Sequence, residues 1–263
     1  MRTTVWACAL LALLSTPLRA EDDAAQAARW SDLRGAVFGQ REVLDGAGFI
    51  QLDAPVRAHD ASLVPVTVTL TGQEPVTAVY LMVDGNPSPL AGTFRFGALA
   101  DPRTLKTRVR VEQYTTIHAV AETADGRLFS AGRFVKAAGG CSAPAAKDAA
   151  AAMARLGQMR MRLEGGEAGA PATAHLLISH PNNTGMAMDQ VSRHFVPARY
   201  VQDVKVTQGD ATVLEVEGDI SLSEDPAISF GFLPQGAEPL VVTVKDSSRA
   251  VFRQSFPLAG QGS

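Results

Sequence analysis

The sequence predicts an all-β protein: two β-sandwich domains in tandem, joined by a Gly/Ala-rich, partly helical linker. Three observations carry this. The 263 residues include Gly 23 and Pro 15, enough to punctuate the chain with turns at short intervals. Short segments alternate apolar and polar residues along two long blocks, without helices between them. A run of small residues separates the blocks. Hydrophobic residues make up 46% and charged residues 19%, a composition that excludes disorder. A formal net charge of -3, with no long basic run, excludes the dense cationic face that nucleic-acid binding requires.

The N-terminus reads as a signal peptide over residues 1–20. Arg2 supplies the positive start, and Trp6 to Leu14 form an apolar run too short to cross a bilayer. Leu18-Arg19-Ala20 make the cleavage end; the competing reading of the segment is a short membrane anchor. No other apolar run is long enough to span, so the mature chain is expected to be exported, soluble and free of the membrane. Losing Arg2 and Arg19 leaves 22 of the 24 basic residues against 27 acids, a mature charge of -5.

Residues 21–137 form the first domain. Ala24 to Arg29, Trp30, Leu33 and Val37 recur at helical spacing and predict an N-terminal helix. Strands follow at Ile50-Gln51-Leu52, Val64–Leu70, Val76–Val83, Phe94–Phe96, Thr107–Val111, Thr116–Glu122 and Leu128–Lys136. In Val64–Leu70 the apolar residues share one face, and Pro65 marks a strand start or an edge. Asp84-Gly85-Asn86-Pro87 and Asp125-Gly126 are turns. The linker, residues 138–157, holds Gly139-Gly140-Cys141 and an alanine-rich helix over Ala145–Arg155, with Ser142 as a candidate N-cap. The second domain, residues 158–263, has strands at Met159–Leu163, Ala174–His180, Tyr200–Thr207, Ala211–Val216, Ile228–Phe232, Leu240–Lys245 and Val251–Phe256. Met159 and Met161 recur with period two and read as a strand's buried face rather than a helical stripe.

Cys8 lies in the expected leader, so the mature chain keeps one thiol, Cys141, without an internal partner. A lone thiol in an oxidising compartment has either a task or deep burial. Gly139 and Gly140 before it predict a mobile, accessible backbone, and a helix start just after it would favour the thiolate modestly. A mobile thiol suits a carrier better than a catalyst, because a nucleophile needs a base fixed within hydrogen-bond reach. The bland alternative is an ordinary linker with an incidental cysteine.

The first block resembles SoxY, the sulfur-carrying subunit of the Sox sulfur-oxidation system. The resemblance is carried by Ile50-Gln51-Leu52-Asp53-Ala54-Pro55, Val64-Pro65-Val66, Asn86-Pro87-Ser88-Pro89-Leu90, Thr107-Arg108-Val109-Arg110 and Gly139-Gly140-Cys141. The second resembles the partner subunit SoxZ, at Leu177-Ile178-Ser179-His180-Pro181, Thr184-Gly185, Pro197-Ala198-Arg199-Tyr200-Val201 and Asp225-Pro226-Ala227-Ile228-Ser229-Phe230. The whole is similar to fused SoxYZ-like carriers associated with quinoprotein dehydrogenases. The resemblance implies immunoglobulin-like sandwiches, a periplasmic location, covalent sulfur attachment at Cys141 and an arm hinge at Gly139 and Gly140. It also implies periplasmic redox enzymes as partners, either Sox-type or a quinoprotein dehydrogenase or cytochrome. The expected protein is a carrier of sulfur-containing small molecules, such as thiosulfate-derived groups, and not an enzyme. The alternative is an interaction module that docks on such a partner without covalent cargo. In SoxY the arm ends the chain, whereas here Ser142-Ala143-Pro144 follow and the chain runs on, so an arm tethered at both ends has a shorter reach.

Other candidates read as structural. His175, His180, Met186, Met188 and His194 suggest a soft-metal site, but His175 and His180 are five apart on one strand and point to opposite faces. His59 and His118 are isolated. Arg108 and Arg110 share a strand face, read as solvated or, more sharply, as an anion-guiding patch near the arm. Asn182-Asn183-Thr184 matches a glycosylation sequon and is read as idle. No metal set and no cofactor site is legible in the sequence.

Overall fold

The computed structural model describes residues 18–143, 149–166, 169–189 and 192–258. Helix α1 (Leu18–Phe38) takes in the last three residues of the expected leader; the rest of that leader, with Cys8, lies outside the described residues. The first domain continues with β1 (Val43–Asp45), β2 (Ile50–Asp53), β3 (Val64–Leu70), β4 (Val76–Val83), β5 (Leu90–Phe96), β6 (Ala100–Val109), β7 (Thr115–Thr123) and β8 (Leu128–Val135). After the linker helix α2 (Ala149–Ala154) come β9 (Met159–Gly165), β10 (Ala172–Ile178), β11 (Val201–Gln208), β12 (Ala211–Gly218), β13 (Ala227–Phe232), β14 (Leu240–Asp246) and β15 (Val251–Phe256). Each strand expected from alternation is present. Among the described residues the one strand not foreseen is β1, whose three residues are held by parallel pairing with β8 from Val43↔Leu128 to Asp45↔Ser130.

The alternation reaches burial as expected. In β3, Val64, Val66, Val68 and Leu70 are buried, while Pro65 is exposed between them. Pro65 lies one residue into the strand, and β2 pairs only with Thr67–Leu70, so at Pro65 the strand has a neighbour on one side only. Helix α1 lies against the outer face of β4, β7 and β8. There Phe38 joins Met82, Val120 and Leu128 in a small second core, and the Trp30 ring stacks on His118 at 3.8 Å. His118 is structural, with Nδ1 within 2.9 Å of Asp84, and His59 is exposed.

The two sandwiches are fused along their edges. One sheet of nine strands runs β1-β8-β7-β4-β5-β12-β11-β14-β15, and the facing sheet of six runs β2-β3-β6-β13-β10-β9. Both sheets cross the domain boundary, through β5–β12 (Phe94↔Val216) and β6–β13 (Leu105↔Phe230). A single apolar core extends through both halves, with Phe94, Leu105, Leu214 and Phe230 buried where they meet. Side chains of this size contribute about 1.5–3 kcal/mol each when fully buried. The tandem sandwiches are therefore as expected, but edge pairing rather than the linker holds them together. Pairing also removes the exposed β5 and β6 edges that an isolated first half would present.

Candidate functional site: a thiol at the domain seam

The seam is built from the end of β6 outward. The Arg110 amide donates to Ser221 O (2.8 Å), carrying the pairing past the last residue of the strand. Asn86, in the turn between β4 and β5, donates from Nδ2 to Arg110 O (2.7 Å) and Ser221 Oγ (2.9 Å), and accepts from the Glu112 amide at 2.9 Å. One buried amide side chain thus ties the turn, the 110–112 segment and the second domain together. In the sequence Asn86 stands out only by its place before Pro87 in a turn and in the SoxY-like stretch Asn86–Leu90.

Onto that frame the chain lays residues 139–142. The Gly139 amide donates to Glu112 O (2.8 Å), the Gly140 amide to Val111 O (3.0 Å), and the Val111 amide to Ala61 O (2.8 Å). Side chains take most of what remains. Arg110 Nη1 donates to Gly140 O at 3.0 Å, and Thr184 Oγ1 donates to Cys141 O at 2.6 Å. The Glu112 carboxylate accepts from the amides of Cys141 (2.7 Å) and Ser142 (3.1 Å) and from Ser142 Oγ (3.0 Å). Thr184 belongs to the second domain, so both halves close on the cysteine.

This corrects the expectation of an accessible thiol. Cys141 has 0% of its surface exposed, and the glycines permit a close fit of the segment. A Cβ on Gly140 would lie 2.1 Å from Ala61 O, and Gly139 sits at φ +81°, a conformation that side chains disfavour. The expected hinge at Gly139 and Gly140 is pinned here by main-chain hydrogen bonds. The expected thiolate-favouring helix start falls on residues 144–148, which lie outside the described residues; α2 is described from Ala149. Ser142 hydroxyl bonds Glu112 and Gly139 O. The thiol is pushed up to about 12, first by burial and then by the Glu112 carboxylate, against the opposing pull of Arg110.

Arg108 and Arg110 are likewise not a solvated face. Arg108 is half-buried and donates from Nη2 to Asp225 O at 2.9 Å. Arg110 is 4% exposed and spans the domains, with Nη1 on Gly140 O and Nη2 on Asn182 O at 3.3 Å. Burial pulls its pKa down from the ordinary arginine value. Of the two readings of this pair, neither foresaw a guanidinium that clasps the arm from inside.

The second domain positions Asn182 and Thr184 through a buried polar cluster. Asn182, at φ 44°, donates from Nδ2 to Leu222 O (3.2 Å) and accepts from the Val201 amide (2.9 Å). Its side chain is buried. His180 Nδ1 accepts from the Asn182 amide at 3.0 Å, and its Nε2 lies 3.5 Å from Asp246 Oδ2. Burial lowers the His180 pKa, leaving the ring neutral. Asp246 is held near 2 although burial opposes this, because Ser248, Arg199 and the Ala250 amide all donate to it. His175 is engaged elsewhere, with Nδ1 2.8 Å from Ser229 Oγ and Nε2 3.3 Å from Glu164.

Fold and site together define a two-domain β-sandwich protein with a sheltered thiol at its seam. The family model for SoxY, described as sulfur oxidation protein SoxY, matches residues 34–141, and that for SoxZ, sulphur oxidation protein SoxZ, matches residues 159–257. The chain is a fused SoxY–SoxZ-like protein, with Cys141 the last residue of the SoxY match. Among solved structures it is similar to the sulfur carrier protein SoxY from Chlorobium limicola f thiosulfatophilum. That match is 27% identical, has a TM-score of 0.38, and covers 44% of this chain and 98% of that one. A β-glycosidase from Bacteroides vulgatus matches at 10% identity and a TM-score of 0.26, over 80% of this chain and 24% of its own. No curated protein matches the sequence.

Proposed function

We propose that this chain is a non-enzymatic periplasmic carrier that holds sulfur-containing groups covalently on Cys141 and presents them to partner redox enzymes. The observation that carries this reading is the convergence of both domains on one thiol. Arg110 and Glu112 from the first domain and Thr184 from the second hold residues 140–142 at the seam. The described arrangement is a closed form. With the thiol pushed up to about 12, this form holds far less thiolate at neutral pH than a free thiol does. Exchange therefore belongs to an open form in which these hydrogen bonds are broken, and partner docking would supply the opening.

With thiosulfate as the incoming group, coupling joins the Cys141 sulfur to the terminal sulfur of thiosulfate. The product is a cysteine thiosulfonate; one proton goes to solvent and two electrons go to the partner, a quinoprotein dehydrogenase or a cytochrome. The partner does the redox chemistry, and this chain binds, shelters and offers. The leader expected over residues 1–20 is the support for export. The test is intact mass after incubation with thiosulfate and an oxidising partner. The expected result is an added mass on the wild type that Cys141→Ser lacks; an unmodified wild type counts against carriage.

The depth of Cys141 favours one second reading, an interaction module that docks on a redox partner with its cysteine serving packing alone. Growth under conditions that require the gene separates the two: normal growth with Cys141→Ser selects docking.

A further inference from the structure

We propose that Arg110 is the buried counter-ion for an anionic sulfur group on Cys141, so that the site shelters anionic adducts, such as a thiosulfonate or persulfide, in preference to neutral ones. This rests on the carrier reading and adds to it the residue that holds the charge of the cargo.

The reason lies in an unbalanced charge. Arg110 is 4% exposed, yet among the described residues its guanidinium reaches only two neutral carbonyl oxygens, Gly140 O at 3.0 Å and Asn182 O at 3.3 Å. Its Nε is buried without a hydrogen-bond partner. Among the described residues no carboxylate forms an ion pair with it. Glu224 and Asp60 act on it only through space, and Glu112 turns its oxygens to the amides of Cys141 and Ser142 and the Ser142 hydroxyl. A neutral amide would suffice to bridge two carbonyls, whereas a buried guanidinium without an anion is costly. The charge is aimed at the arm: Nη1 sits on the carbonyl that immediately precedes Cys141, and the thiol and guanidinium feel each other's charge. The planar fork of an arginine also suits the oxygens of a sulfonate.

The test compares two adducts of opposite character on the full chain. The Cys141 thiolate attacks a sulfane sulfur of tetrathionate. The new S–S bond forms, the central S–S bond of tetrathionate breaks, thiosulfate leaves with the electron pair, and the thiol proton passes to solvent. Methyl methanethiosulfonate reacts in the same way, leaving a neutral methylthio group and releasing methanesulfinate. Protein that resists loading when folded is loaded in denaturant and refolded. The readout is the rate at which dithiothreitol removes each adduct, followed by intact mass. Arg110→Gln is expected to speed loss of the thiosulfonate roughly tenfold more than loss of the methylthio group. Arg110→Lys, which keeps the charge, is expected to restore most of the difference. Equal acceleration of both adducts would show a purely structural arginine and overturns the proposal. Should Arg110→Gln fail to fold, the wild type decides: the thiosulfonate form must melt above the methylthio form, and the reverse order overturns it. Failure of a thiosulfonate-loaded chain to refold where the methylthio chain succeeds has the same consequence. A chain that acquires sulfur cargo by mass but shows no preference for charge keeps its carrier role and loses this inference.

Discussion

Glu112 holds Cys141 by its main chain, with Oε2 2.7 Å from the cysteine amide nitrogen, while its charge raises the pKa of the same residue's thiol. One carboxylate therefore both fastens the arm and quiets the sulfur. Glu112→Gln is expected to lower the Cys141 pKa from about 12 and to leave it above the free-thiol value, because burial, the larger cause, remains. Glu112→Ala goes further by freeing the donors on Cys141 and Ser142, at about 1–3 kcal/mol of stability. Alkylation by iodoacetamide at pH 8, followed by mass, should rise in the order wild type, Gln, Ala.

Stability at alkaline pH should depend on the thiol. The folded pKa, about 12, lies above the ordinary value of 9.0, so the folded state keeps a proton that the unfolded state has lost. This contribution is fully present below pH 9 and is lost as pH rises through 12, with a slope of up to about 1.4 kcal/mol per pH unit. Denaturant melts of wild type and Cys141→Ser between pH 8 and 11 isolate it. Parallel curves for the two proteins would show that the thiol is not sheltered in solution.

The two glycines of the arm should respond differently to alanine. At Gly140 a Cβ meets Ala61 O at 2.1 Å and Val111 N at 2.7 Å, so the segment must move and Cys141 should become reactive. At Gly139 the one atom of the described residues within 4 Å of an added Cβ is Ser142 Oγ at 3.9 Å, and the cost is the φ of +81°, about 1–2 kcal/mol. Thiol labelling should therefore rise several-fold more in Gly140→Ala than in Gly139→Ala.

Asp246 anchors the second domain's side of the site. Its carboxyl is held near 2, so the stability that it contributes is present above pH 4 and is lost as pH falls through 2. Asp246→Asn should cost about 2–4 kcal/mol at pH 7: the remaining oxygen can still accept from Ser248 and Ala250, but an NH2 in place of Oδ2 faces the Arg199 Nε donor and removes its anion. The gap between variant and wild type should narrow in acid, as urea melts between pH 2 and 7 can show.

The edge-fused sheets predict one cooperative unfolding transition rather than two. Phe230→Ala, at the β6–β13 junction, should lower the midpoint of the whole molecule by removing about 3–5 kcal/mol. Two separated calorimetric transitions would contradict a shared core.

Much of this architecture was legible in the residues. Alternation located β3 and β4 to the residue, and turn chemistry placed the breaks at Asp84–Pro87 and Asp125-Gly126. Strand β1 escaped because three residues carry no period, and its partner β8 lies far along the chain. At the site, Gly139-Gly140-Cys141 was recognisable as a segment, but its condition was misread. Paired glycines signal freedom or close approach equally well, and Ala61 O decides between them. Arg110 was misread for a similar reason: beside Arg108 it has the look of a wetted charge, until Asn182 and Gly140 are found around it.

Residue types at short spacing were enough to establish strands, turns, the order of the two domains and their kinship with SoxY and SoxZ, because each of these is a property of neighbours along the chain. Whether the thiol is offered or withheld was a matter for folding. Its burial and its pKa come from Arg110, Glu112 and Thr184, side chains gathered around Cys141 only when two sheets join across a domain boundary. Desolvation and Coulomb interaction depend on distance in space, and no local pattern reports that distance.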